Sequence, residues 1–156
     1  MIQRIQSIYL LAAASLIGLF AVNPLATFAT ADGVYLLQVS GIKSFDAEMI
    51  LQTPYLMIIV ALAALLPLVN IFLFKKRMLQ IRLCVVQMVL AAGTLAIGGV
   101  YYHLSNRFFG ADAAELLSSA PRIVCILPVL AIYLDYLALR GILKDEMLIK
   151  SLDRIR

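Results

Sequence analysis

The chain has 156 residues, 63% of them apolar and 14% charged, with a mean hydropathy of +0.99. Soluble domains run at about 45–50% apolar and about 25% charged, and a chain of this size leaves roughly 30% of its unfolded surface wet on folding, so neither an ordinary cytosolic enzyme nor a disordered chain fits. The net charge of +4 sits at the ends of apolar runs and forms no patch, which points away from nucleic acid and toward the lipid bilayer as the partner.

In chain order, the first charge-free run extends from Ile5 to Ala31 and predicts a span over 7–28, with a kink at Asn23-Pro24. Arg4, this run and Ala29-Thr30-Ala31 also fit a secretory signal cleaved after Ala31. The length of the run and its single basic residue favour a retained helix. An outer loop, 29–53, follows. Its segment Gly33 to Gly41 reads as a short strand or half a hairpin, and Ser44 to Gln52 as a helical turn. Thr53-Pro54 supplies an N-cap hydroxyl and a first-turn proline for a second span over 54–74, with Pro67 inside it.

A short inner loop, 75–79, leads to a third span over 80–102. The second outer loop, 103–120, carries Asp112 and Glu115 at capping-box spacing, which predicts a short helix ending near Ser118. Ala120-Pro121 opens a fourth span over 121–140 that Pro128 could bend. The tail, 141–156, alternates charge with Leu148, Leu152 and Ile155 at helical spacing, so it continues the fourth helix, hinged at Gly141. The expected fold is therefore all-α: a single membrane domain, 1–156, built as a four-helix up-down bundle. To it are added a small, partly β first outer loop and a cytoplasmic amphipathic C-terminal helix.

Orientation follows from the basic residues. Arg4, Lys75, Lys76, Arg77, Arg82, Arg140, Lys144, Lys150, Arg154 and Arg156 fall on one side, against Lys43, Arg107 and Arg122 on the other. Both termini are predicted to be cytoplasmic.

Little in the sequence carries chemistry. Cys84 and Cys125 lie inside apolar runs and read as small hydrophobes. The lone His103, beside Tyr101 and Tyr102, reads as part of an interfacial aromatic belt. Asp32, Asp46, Glu48, Asp112 and Glu115 read as solvated loop charges, so no metal site is expected. No phosphate-loop, nucleophile-elbow, zinc-protease or dinucleotide pattern occurs. The expectation is a protein that is not an enzyme and needs no cofactor.

Asp135 is the one acid within a span. Its distance of five residues from Arg140 places it near the cytoplasmic boundary, where Arg82 could form an interhelical ion pair with it. Asn70, Gln87 and Thr94 suit interhelical hydrogen bonds, and Ala14/Gly18 and Ala92/Ala96 suit close helix contacts within the bundle.

The segments Met1-Ile2-Gln3-Arg4-Ile5-Gln6 and Lys144-Asp145-Glu146 through Arg156 are more specific. With them the chain resembles a domain-of-unknown-function family of four-helix membrane proteins from Bacteroidota. The resemblance implies an inner-membrane location in a Gram-negative bacterium and brings no activity or catalytic residue with it. Because both segments fall on the cytoplasmic side, Gln3, Arg4, Gln6, Lys150, Asp153, Arg154 and Arg156 are the candidate partner-docking residues. The expected role is a non-enzymatic accessory or assembly subunit of a larger membrane complex. The alternative is a small oligomeric transporter or channel.

Overall fold

A computed structural model describes residues 2–30, 33–44, 48–73, 76–111 and 116–153, with side chains outside 2–4, 111, 116 and 149–153. Four helices, α1 (Ile2–Val22), α2 (Pro54–Phe72), α3 (Arg77–Ala111) and α4 (Leu127–Asp153), are long and apolar enough to cross a membrane. Apolar residues cover every face of these helices, so hydropathy does not say which face is inward. The buried positions do, by recurring at alternating steps of four and three. They are Gln6, Leu10, Ala13, Ile17 and Phe20 on α1, and Leu56, Val60, Ala63, Pro67 and Asn70 on α2. On α3 they are Gln80, Cys84, Gln87, Ala91 and Thr94, and on α4 Ala131, Asp135, Ala138 and Ile142. That period of 3.5 is the repeat of helices packed side by side at a shallow angle. Each helix packs on two neighbours, α1 and α3 both lying between α2 and α4.

An all-α fold is not what forms. Beyond the bundle stands a five-stranded antiparallel sheet of β1 (Ala26–Thr30), β2 (Gly33–Gln38), β3 (Gly41–Ser44), β4 (Met49–Gln52) and β5 (Leu116–Pro121), in the order β4-β3-β2-β1-β5. Three local decisions produce it. First, α1 stops at Val22. Pro24 brings no N–H, and the Asn23 amide nitrogens, backbone and side chain, both donate to the Leu19 carbonyl. The last residues of the predicted first span enter the interior strand β1, paired on both edges. Second, Met49–Gln52 extends β3 as an edge strand where a helical turn was expected. Third, Leu116–Pro121 pairs with β1 where the end of a short helix was expected. Its Leu-Leu-Ser-Ser sequence has no strand signature of its own, and pairing across the fold decides its state. The residues of the capping box, Asp112 to Glu115, lie outside the described residues.

Other boundaries shift for physical reasons. Pro121 closes β5, a 3-10 turn (Ile123–Ile126) follows, and Pro128 falls in the first turn of α4, where no N–H is needed. Thr53 does not cap α2; its hydroxyl donates to the Val39 carbonyl at 2.8 Å and ties the helix start to the sheet. α4 runs unbroken through Gly141, so there is no hinge there. α3, predicted to end at residue 102, continues to Ala111 and is about 52 Å long at ~1.5 Å per residue. Its outer end is the post against which the sheet leans. Phe28 of β1 stacks on Tyr102 at 5.7 Å and meets Phe109 at 5.5 Å, and Tyr35 of β2 stacks on Phe109 at 4.8 Å. One apolar core runs from Ala13 and Ile17 in the bundle to Leu37 and Ile42 in the sheet.

Candidate functional site

The interior of the bundle carries a column of polar side chains that begins at the end where α1 starts and α4 finishes. There Gln6, buried, donates from Nε2 to Asp145 Oδ2 at 2.8 Å. Gly141 makes room for it: a Cβ at that position would stand 3.2 Å from Gln6 Cγ and 3.3 Å from Nε2. The two terminal segments thus meet inside the helix pair. Of the predicted docking residues, Gln6 is therefore withdrawn from the surface. Gln3, Arg4, Lys150 and Asp153 lie on the helix ends, but their side chains are outside the described residues, as are Arg154 and Arg156 altogether.

One step in, α2 and α3 are clasped by a reciprocal pair. Asn70 Nδ2 donates to the Gln80 carbonyl at 3.3 Å and to Cys84 Sγ at 3.2 Å, and Gln80 Nε2 returns a bond to the Asn70 carbonyl at 3.3 Å. Asn70 Oδ1 is left without a partner.

A further turn along, the column reaches Gln87 and Asp135. Cys84 on α3 and Ala138 on α4 share one apolar cluster with Leu10 and Ile142. These helices are antiparallel, so three residues onward on each brings Gln87 and Asp135 to one level. Gln87 is 1% exposed and Asp135 2%. Neither atom of the Gln87 amide has a hydrogen-bond partner, and neither has Asp135 Oδ1. On α2 the same level is occupied by Pro67, which has no N–H to give the Ala63 carbonyl. The level is fixed by Ile59 lying against Gly93 on one side of it and Asn70 against Gln80 on the other.

Asp135 stands near the middle of the packed length of the bundle, because the packed part of α4 runs past Arg140 to Ile142 and Asp145. The expected Arg82–Asp135 pair does not form. Arg82 is exposed, it lies five residues (about 7.5 Å) nearer the inner end than Gln87, and no ion pair joins it to Asp135 among the described residues.

At the outer end Thr94 bonds the Ala91 carbonyl of its own helix at 2.7 Å. Beyond it lies an apolar cavity of about 160 Å³ lined by Phe20, Leu25, Leu95, Gly98, Gly99 and Cys125, among others. Tyr102 meets Ser119 of β5 at 3.3 Å, so this tyrosine braces the sheet in place of its expected role in a belt. His103 is exposed, about 28 Å from Cys84 along α3. Ala92 and Ala96 face outward, not into the bundle. Among the described residues, no three His, Cys, Asp or Glu side chains group as metal ligands. Asp32, Asp46, Asp112 and Glu115 lie outside the described residues, and Glu48 is exposed.

Sequence reasoning missed Gln80, the partner role of Gln6 and the depth of Asp135. A signal was present: Gln80, Gln87 and Thr94 recur every seven residues on α3. In a helix apolar on all sides, the polar stripe marks the inward face.

Residues 2–155 match the family described as a domain of unknown function (DUF4293), as the two terminal segments suggested. No curated protein matches the chain.

Proposed function

The chain belongs to that family, and from its architecture we propose that it is an integral protein of the bacterial inner membrane, crossing four times with both ends in the cytoplasm. In this reading it is not an enzyme but an accessory or assembly subunit of a larger membrane complex. One observation carries the membrane assignment: the helices are inside out. Phe72 is 81% exposed and Val22 79%, with Val89 and Val129 also open, while Gln87 and Asp135 are interior. In water such a surface would aggregate; in hydrocarbon it is the stable arrangement. The excess of Lys and Arg at the α1-start, α2–α3 and α4-end side supports the orientation.

The subunit role is supported by what the molecule offers a partner. Outside the helices it presents two unpaired strand edges, β4 with Met49 to Gln52 all exposed and β5 with Leu117 exposed. At the other end the basic tail and Arg4 remain for docking. Native pull-down in mild detergent with mass spectrometry tests this reading. Stoichiometric recovery of a membrane partner, lost on charge reversal of Arg4 and Arg154, is expected; recovery of the chain by itself at native levels overturns it.

A small oligomeric transporter is the second reading, favoured by the unpartnered Gln87 and Asp135 at the centre of the bundle. Flux of protons or a monovalent cation in proteoliposomes of the purified chain would select it.

A further inference from the structure

The geometry points to a proton-binding site at the centre of the bundle, in which Asp135 carries the proton and Gln87 is its positioning residue. The inference rests on the membrane reading and goes beyond either role proposed for the protein.

Three observations converge on it. Asp135 and Gln87 are both more than nine-tenths buried, at one level, with Asp135 Oδ1 and both Gln87 amide atoms unpartnered among the described residues. Buried polar atoms in folded proteins are paired or hydrated, and this layer suits a group with both donor and acceptor character. A carboxylic acid proton shared with water meets that description. The acid O–H or the water would donate to Gln87 Oε1, and the water oxygen or the acid carbonyl would accept from Nε2. A metal cation would satisfy only the oxygens and leave the amide N–H groups facing a positive charge.

The second observation is the charge environment. The titratable group nearest this level on α3 is the Cys84 thiol, three residues before Gln87 and buried. α1 brings Tyr9, packed on the Cys84 cluster, and α2 has only Tyr55 at its far outer end. Arg82 and Arg140 are exposed and nearer the inner surface. With no cation facing it among the described residues, a buried carboxyl in hydrocarbon takes a proton in preference to staying charged.

The third is access. Toward the inner end the column continues through Cys84, Asn70 and Gln80 to the Gln6–Asp145 bond. Toward the outer end it gives way to Thr94, bonded to its own helix, and then to an apolar cavity. The proton therefore enters and leaves on the side of the two termini.

Carbodiimide labelling of the full chain in lipid vesicles tests the site. The O–H of a protonated carboxyl adds across one C=N bond of the reagent. The carboxyl oxygen bonds to the central carbon, the proton passes to nitrogen, and the adduct rearranges to a stable N-acylurea with no group lost. Dicyclohexylcarbodiimide, which partitions into lipid, is expected to label Asp135 and to label it less as pH rises. A water-soluble carbodiimide is expected to reach Glu48 and not Asp135. Asp135→Asn should abolish the adduct and Asp135→Glu retain it. Gln87→Leu should shift the pH profile of the labelling; an unmoved profile removes Gln87 from the site. Absence of label on Asp135 at every pH, in protein that only detergent extracts, overturns the proton site and leaves the membrane reading intact. Equal labelling of Asp135 by both reagents overturns the membrane reading itself.

Discussion

Among the described residues, the buried polar atoms of the sheet have partners, and on the length of α3 behind it Asn106 Oδ1 is the exception. Thr53 bonds Val39, Thr30 bonds Gly33 and Tyr102 meets Ser119, around a filling of Phe28, Tyr35, Leu37 and Phe109. In the bundle, small and polar core positions stand among the larger Leu10, Ile17, Phe20, Leu56 and Ile142, and Asn70, Gln87 and Asp135 keep atoms without partners. The sheet is packed as a water-soluble core is packed, with aromatic bulk and satisfied hydrogen bonds. On the proposed membrane reading the bundle owes its shape to the fit of Ala13, Ala63, Ala91, Ala131 and Ala138 between helices, since its apolar side chains would gain nothing by leaving lipid. Where groups are paired they hold the structure; where they are unpaired the structure is holding them.

The largest expected effect tests the aromatic half. Phe28→Ala removes a fully buried ring that touches both Tyr102 and Phe109, and should cost about 3–5 kcal/mol. Thermal unfolding in mild detergent should lose its first transition while helical circular dichroism persists to the second. A single transition shifted as a whole would show that the two regions do not unfold separately. Next comes Gly41→Ala. Gly41 has φ +151°, and a Cβ there would overlap the Leu51 carbonyl oxygen of β4. A cost of about 1–3 kcal/mol is expected, read as faster hydrogen exchange across β3 and β4 with the helices unchanged.

The bundle was legible in the sequence and the sheet largely was not, for a physical reason. Length and hydropathy identify a lipid-crossing helix because about 20 apolar residues in a row have few other uses. The same measure ran the first span through Pro24 into β1, since Leu25 to Thr30 is as apolar as the helix before it. β2 announced itself through the Gly33 to Gly41 frame, whereas β5 has no local signature and exists because β1 has a free edge beside it. For the candidate site, Asp135 and Gln87 were visible as residues but not as a pair. Their shared level depends on where α4 begins, and the 3-10 turn at Ile123–Ile126 moves that start away from Pro121.

The third expected effect has the opposite sign. Gln87→Leu replaces an amide with two unpartnered buried atoms by an apolar group of similar size. As the positioning residue of the proton site Gln87 bonds the acid or its water and, among the described residues, no other side chain. Losing a buried amide should therefore outweigh what Asp135 loses and stabilise the bundle by about 1 kcal/mol or less, seen as a slightly higher melting temperature. A comparable change in the sheet half, Thr53→Val, should destabilise by about 1 kcal/mol, because there a made bond to Val39 is lost. Equal signs for the two would erase the contrast between paired and unpaired regions.

The smallest effect concerns the place where the terminal segments meet. Gly141 lies within α4, and replacing a helical glycine with alanine ordinarily gains roughly 0.5–1 kcal/mol. Here the new methyl would press on Gln6 at 3.2–3.3 Å, and Gln6 must yield some of its bond to Asp145. The two contributions should nearly cancel, leaving Gly141→Ala within about 0.5 kcal/mol of the parent. With Gln6 trimmed to alanine the obstruction is gone, so Gly141→Ala in that background should recover the full helical gain. A double-mutant cycle in detergent should then give a coupling of about 0.5–1 kcal/mol between positions 6 and 141. Strict additivity would mean that Gln6 moves aside at no cost, and that its bond to Asp145 does not hold α1 against α4.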